Sequence, residues 1–193
     1  EHGIPNLEKQ IAESPAMFVH AVALVYKRDD DGDDPSEWKI DDPDRRRAVA
    51  SAAYRLINQI NRIPGTDDDG RIDSARLRAW LTEVRRLCRE HARADNGDHC
   101  LGQLLAKAPA GDNDVWPCEP VCQAMEGIAS AEIGRGFCVG ARNERGAHRR
   151  GRGGEQEREL TAKYRNWAER LHFDYPYVGG VLAVVEAARN LAC

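Results

Sequence analysis

Apolar residues recur along this chain at the three-to-four-residue spacing of helices that bury one face, and no stretch alternates as a half-buried strand would. Leu7 to Ile11 reads as the end of one helix, stopped before Ser14-Pro15, where Ser14 is a good cap and Pro15 suits a first helical position. The next helix carries Met17, Phe18, Ala21, Val22, Leu24 and Val25 around most of its circumference. It belongs in the centre of the packing, or under sequence that precedes this chain; left bare, it would promote self-association. A helix led in by Pro43-Asp44 places Val49, Ala52, Ala53, Leu56, Ile57 and Ile60 inward and ends at Ile63-Pro64-Gly65. Another has Leu77, Leu81, Val84 and Cys88 on one stripe, with Trp80, Leu87 and His91 beside it.

That helix is expected to break near Asn96-Gly97, with Asp98 capping a shorter one that carries Leu101, Leu104 and Leu105 and closes before Pro109. After a turn at 111–114, Trp116-Pro117 is expected to start a helix lined by Val121, Met125 and Ile128. Residues 131–143 also read as helix, although three glycines there cost about 1 kcal/mol each relative to alanine. Gly136 and Gly140 share a face, and a close approach by another helix is a physical reason to keep them. Residues 155–172 form a charged amphipathic helix with Leu160, Tyr164, Trp167 and Leu171 on one stripe, and 177–191 form the last. The pattern predicts an all-α fold, an irregular helical bundle or short α-α superhelix of about eight helices. An N-terminal helical part (1–110) and a C-terminal part (111–193) with an Arg/Gly-rich loop are expected to pack as one globular unit.

Composition sharpens this only slightly. The chain has 193 residues, 41% hydrophobic and 31% charged, with a formal net charge of -4, so it is built for a core and has no global attraction for nucleic acid or acidic lipid. No apolar run approaches the roughly 20 residues that span a bilayer, so no membrane partner is expected. Six cysteines are too sparse for a disulfide scaffold, and reduced, mostly buried thiols in a cytoplasmic protein are the reading. The chain opens at Glu1 without a methionine, as a piece of something longer or a processed product would.

The acidic runs at 29–34 and 67–69 invite a calcium reading and fail it. The first has density without alternating ligand positions. Aligning Gly70 with the invariant glycine of an EF-hand loop puts Gly65 and Arg76 where its first and last carboxylates belong. The first run is then a solvated loop, and the second an Asx-rich turn with Asp73 or Ser74 capping the next helix. Cys118 and Cys122 have a zinc-like gap, but the adjacent His99-Cys100 cannot easily complete the site, so no metal and no cofactor are assigned. Cys118 is the best placed nucleophile, near a helix start, yet no histidine is tied to it by sequence. No familiar catalytic signature is present, and the Gly134-x-Gly136 pair lacks the strand a dinucleotide site needs.

The strongest departure from an ordinary surface is the loop with Arg142, Arg145, Arg149, Arg150, Arg152 and Arg158 among glycines. Its arginines can pair with Glu144, Glu155, Glu157 and Glu159, meet a protein partner, or clamp phosphates. Arg145, Arg149, Arg150, Arg152, Glu157 and Arg158 are therefore interaction or ligand-binding candidates, and no catalytic residue is assigned.

The runs W-P-C-E-P-V at 116–121, G-x-x-x-G-x-x-N-x-R-G at 136–146 and G-G-x-Q-E-R-E-L-x-x-K-Y-R-x-W-A-E at 153–169 carry a resemblance. So do R-I-P-G-T-D-D-D-G-R-I-D at 62–73 and L-G-Q-L-L-A-K-A-P at 101–109. Together they resemble the C-terminal region of a family of large, mostly helical bacterial proteins without an assigned activity. The resemblance implies that this piece closes a longer helical array. It marks Asn143, Arg145, Gly146, Arg149, Gly153, Gly154, Glu157, Arg158, Tyr164 and Trp167 as positions of interest, and Asn143 joins the interaction or ligand-binding candidates only through it. The chain departs from that pattern after Pro176, where Val184-Val185-Glu186 stands in place of a more charged helix with a tyrosine-glutamate pair. The functional expectation is a non-enzymatic helical interaction module, probing a protein partner or the upstream domains of its own protein. Phosphate or nucleic-acid binding through Arg142–Arg158 is the alternative.

Overall fold

A computed structural model describes residues 5–143 and 155–190, and the side chains of 7–143 and 158–187. The described residues form an irregular all-α bundle: α1 (Pro5–Glu13), α2 (Pro15–Val25), α3 (Pro43–Gln59), α4 (Ser74–Glu90), α5 (Ala94–Leu105), α6 (Glu119–Ile128), α7 (Ala131–Asn143), α8 (Glu155–Leu171) and α9 (Pro176–Asn190). A short 3-10 turn spans Ser36–Trp38, and the Thr66–Ile72 bridge is the one β-type pairing described. None of these helices is long and apolar enough to cross a membrane.

Helix starts follow local chemistry. Ser14 accepts the amide of Met17 ahead of Pro15, Asp42 accepts that of Arg45 at 2.7 Å ahead of Pro43, and Asp73 accepts that of Arg76 at 2.8 Å. Asp67 Oδ1 gathers the amides of Asp69 and Arg71 at 3.0 and 2.8 Å, which makes the second acidic run an Asx turn. The apolar helix α2 is central, with Phe18, Val19 and Val22 sealed against α3 and α4, and Met17 alone among its large side chains left 38% exposed. Phe18 meets Trp80 edge-on at 5.2 Å.

The most extensive helix–helix contact joins α5 to α7 across the 110/111 division. It is possible because glycines face backbone there. A Cβ at Gly136 would fall 2.0 Å from the His99 carbonyl oxygen, and one at Gly102 would fall 2.1 Å from that of Ile133. The glycines of residues 131–143 thus allow the close approach expected of them.

Two local expectations are corrected. The chain does not break at Asn96-Gly97. It turns earlier, through Ala92 at φ +50°, and α5 starts at Ala94 and runs through both residues. Gly97 is in the helix because Cys88 packs where its side chain would be, with Sγ 2.5 Å from a Cβ built there. Asp98 is then no cap. It lies buried inside α5, paired with Arg85 at 2.8 and 3.0 Å, and accepts the Ser130 hydroxyl at 2.6 Å. The second correction concerns Trp116-Pro117, which precedes the helix as a cis peptide; α6 begins at Glu119, with Cys118 as its cap residue and Pro120 within its first turn.

The acidic linker 29–34 is largely exposed, as like charges in water require, except at Asp34. Arg28 pairs with Asp30 at 2.6 Å and holds that carboxyl down at about 2. Asp34 is drawn inward by Arg93, which is only 1% exposed and reaches it at 2.8 Å. The Trp38 ring of the same linker lies between the imidazoles of His20 and His91, at 4.9 and 4.4 Å.

Helix ends are satisfied across elements as well as locally. Lys107 donates its ammonium to the carbonyls of Asn58 and Ile60 at the end of α3, where positive charge complements the helix dipole. Glu126 of α6 accepts the amides of Tyr177 (3.0 Å) and Val178 (3.3 Å) at the start of α9. Replacing Glu126 with alanine should cost about 1–2 kcal/mol in urea unfolding, with Glu126→Gln losing less because an amide oxygen still accepts. Equal losses for the two variants would deny the cap its role.

Candidate functional site

The arginine-rich stretch falls between α7 and α8 in the chain, and those two helices are held together by a cluster of aromatic rings. Trp116, outside any helix, is the joint. Its ring lies 4.8 Å from that of Phe137 on α7, and 5.8 and 5.7 Å from those of Tyr164 and Trp167 on α8. Tyr164 and Trp167 meet each other edge-on at 5.4 Å. Such clustered rings contribute about 0.5–1.5 kcal/mol per pair beyond the area they bury. Both indole N–H groups are used: Trp116 donates to the Ala108 carbonyl and Trp167 to that of Asp114, each at 2.8 Å.

The stripe expected along α8 therefore does sink into the core, with Tyr164 and Leu171 buried and Leu160 and Trp167 partly so. On its other side α8 lies against α9, where Arg165 pairs with Glu186 at 2.6 Å and Gly179 brings the two backbones close to His172. α9 in turn packs on α7: Tyr177 donates its hydroxyl to the Ser130 carbonyl at 2.6 Å, and Cys138 reaches the Val181 carbonyl at 3.7 Å. α7, α8 and α9 with Trp116 thus form one braced unit.

Of the seven candidates, Asn143 is the exposed last residue of α7, and Arg158 is exposed on the first turns of α8. Glu157 lies in α8, and its side chain is outside the described set. Arg145, Arg149, Arg150 and Arg152 fall in residues 144–154, outside the described residues altogether.

The cysteines are placed by the core. Cys88, Cys100, Cys118, Cys122 and Cys138 are free and buried. Burial pushes the thiols of Cys88 and Cys122 up to about 12 and that of Cys100 to about 11, and raises those of Cys118 and Cys138. For Cys118 desolvation outweighs the helix start it occupies, so it is a protonated thiol near neutral pH. The His99 carbonyl faces Gly136, and the Cys100 thiol meets the Tyr26 hydroxyl. No group of three His, Cys, Asp or Glu that could hold a metal ion occurs among the described residues.

Clefts bounded by described residues include two of several hundred cubic ångströms. The larger, about 680 Å³, lies between the 109–120 stretch and the end of α8. Its polar groups answer one another: Tyr175 donates to Glu119 at 3.4 Å and Arg170 to the Asn113 carbonyl at 3.2 Å. The second, about 440 Å³, lies between α1, the α3–α4 turn and α4, with Glu13, Arg62, Arg76 and Trp80 among its walls. Neither is lined by a residue of 142–158. Sequence reasoning passed over Arg62 and Arg76, whose one signal was a pair of cations flanking the Ile63-Pro64-Gly65 turn and the helix start after it. No family model matches the chain, and no curated protein or solved structure matches it either.

Proposed function

We propose that the chain is a helical interaction module that engages an acidic protein surface through the Arg142–Arg158 stretch, as the closing part of a larger cytoplasmic bacterial protein. The surface belongs to a separate partner or to the upstream domains of the same protein. The observation that carries this reading is the Trp116 cluster. It fixes the helix that enters the stretch to the helix that leaves it, through rings and two indole hydrogen bonds.

Anchoring both ends of a cationic segment reduces the entropy lost when its arginines are ordered on a partner. Arginine is also the charged residue most at home in interface cores, because its guanidinium bonds carboxylates in a fork and is weakly hydrated. Residues 144–154 hold four arginines and one glutamate in a chain whose net charge is -4, so attraction to an acidic patch is local. The exposed acidic runs at 29–34 and 67–69 oppose a long nucleic acid lying across the molecule.

The test is capture by the full chain, wild type against Arg145→Ala/Arg149→Ala, with cross-linking and identification of what is retained. We expect a partner that is retained by the wild type and lost with the double variant, whose thermal midpoint stays unchanged. Equal retention by both chains, or none by either, overturns the reading. Binding of a short single-stranded oligonucleotide that falls steeply with salt and disappears in the variant would transfer the role to nucleic acid.

A further inference from the structure

Burying any part of a guanidinium costs hydration, and folded chains meet that cost with an anion or a full set of acceptors. Four described arginines are buried or partly buried: Arg28, Arg62, Arg85 and Arg93. Three have a carboxylate within 3 Å, namely Asp30 for Arg28, Asp98 for Arg85 and Asp34 for Arg93. Arg62 has none. Its Nη2 donates to the Thr66 carbonyl at 2.7 Å, which ties the side chain to the α3–α4 turn, and no ion pair among the described residues neutralises it.

Arg62 lines the 440 Å³ cleft, and Arg76 of α4, an exposed residue, lines the same cleft with no hydrogen-bond or ion-pair partner for its guanidinium among the described residues. The lining also includes Ala12, Pro15, Ala79 and the small exposed part of Trp80, which is 6% exposed. Glu13 also borders the cleft and pairs with Lys9 at 4.0 Å, on its own helix. Two cations that make no ion pair among the described residues, beside apolar lining, are complementary to an anion that carries an apolar body.

We infer that this cleft binds a small organic anion, a carboxylate or phosphate attached to an apolar group, with Arg62 and Arg76 holding the charged head and the apolar lining of Ala12, Pro15, Ala79 and Trp80 receiving the body. Arg62 is pre-positioned by its bond to Thr66, so binding needs to order mainly Arg76. Glu13 opposes the ligand's charge from the rim and limits its affinity. The site is separate from the Arg142–Arg158 stretch and stands or falls without it.

The experiment is calorimetric titration of the full chain with phenyl phosphate, with benzoate and inorganic phosphate as comparison arms. The Trp80 indole resonance, assigned through Trp80→Phe, reports where binding occurs. Phenyl phosphate is expected to bind more tightly than inorganic phosphate, which lacks the apolar body, and benzoate shows whether a carboxylate head serves as well. Arg76→Ala, which removes an exposed and unpartnered side chain, should leave thermal stability unchanged and weaken phenyl phosphate about tenfold. Glu13→Gln should tighten it roughly two- to fivefold. The inference is overturned if phenyl phosphate does not bind at millimolar concentration, if Arg76→Ala leaves its affinity unchanged, or if Glu13→Gln weakens it.

Discussion

Gly136→Ala should be among the most damaging single changes to this protein, although it adds one methyl group to a helix and raises helix propensity. The added Cβ would fall 2.0 Å from the His99 carbonyl oxygen and 2.8 Å from its carbon, distances that no rotamer change relieves because both sides are backbone. α5 and α7 would have to separate, loosening the buried Leu101, Leu104, Leu105, Ile133 and Phe137 that line those helices. The intrinsic gain of about 1 kcal/mol from glycine to alanine is outweighed by overpacking of about 3 kcal/mol or more. Gly102→Ala should behave alike, since its Cβ would fall 2.1 Å from the Ile133 carbonyl oxygen. Gly180→Ala supplies the opposite sign: this exposed α9 glycine has nothing within 4 Å of a built Cβ, so stability should rise by about 0.5–1 kcal/mol. Denaturant unfolding of the three variants checks the ordering. If Gly136→Ala unfolds at the wild-type midpoint, the close crossing of α5 and α7 is wrong.

The second large effect is expected at Asp34. Arg93 is 1% exposed and divides its donors among the Tyr26 carbonyl (2.9 Å), the His91 carbonyl (2.7 Å) and Asp34 (2.8 Å). Two of the partners are neutral dipoles, so Asp34 supplies the only full negative charge among them. Asp34→Ala leaves a buried cation without it. The Asp34 carboxylate is itself 30% exposed, so we place the loss near the low end for a broken buried pair, about 3 kcal/mol, or roughly 6–12 °C in thermal midpoint for a chain of this length. Arg93→Met alone leaves two carbonyls without their donor. In the double variant the two losses should fall short of their sum by about 1 kcal/mol or more. Additive losses would mean that the ion pair contributes little and that Arg93 acts through its carbonyl bonds alone. Amide hydrogen exchange gives a local check, because Asp29 donates its amide to the Ala92 carbonyl and should lose protection in Asp34→Ala before the core does.

These two cases mark how far the linear chain could be read. The spacing of Phe18, Leu77, Leu81, Val84, Tyr164 and Leu171 identified faces that are buried, because helix periodicity is a local property that neighbouring residues express directly. Ser14, Pro43 and the Asp73-Ser74 pair announced helix starts for the same reason, although the cap ahead of Pro43 is Asp42. Asp98 was misread because its residue type suits a cap and also suits burial beside a cation, and the cation, Arg85, lies thirteen positions earlier on another helix. Trp116-Pro117 resembled a helix start by composition, while its ring is placed by Phe137, Tyr164 and Trp167, which are distant along the chain.

The candidate sites divide similarly. The arginine-rich stretch is conspicuous as composition, and the cluster that anchors its flanking helices is visible only in three dimensions. Arg62 and Arg76 are unremarkable in sequence among 28 basic residues, since a missing counter-ion is a relation to everything around a side chain.

By itself, then, the sequence determined that this protein is helical, which faces of its helices are apolar, and where its basic stretch lies. Those are consequences of backbone propensity and short-range periodicity. Only the tertiary structure decided that α5 and α7 touch through glycine, that Arg93 is buried on Asp34, that Trp116 joins α7 to α8, and that Arg62 meets no carboxylate among the described residues. Each of those depends on side chains tens of residues apart, where packing and desolvation override what any local window of residues expresses.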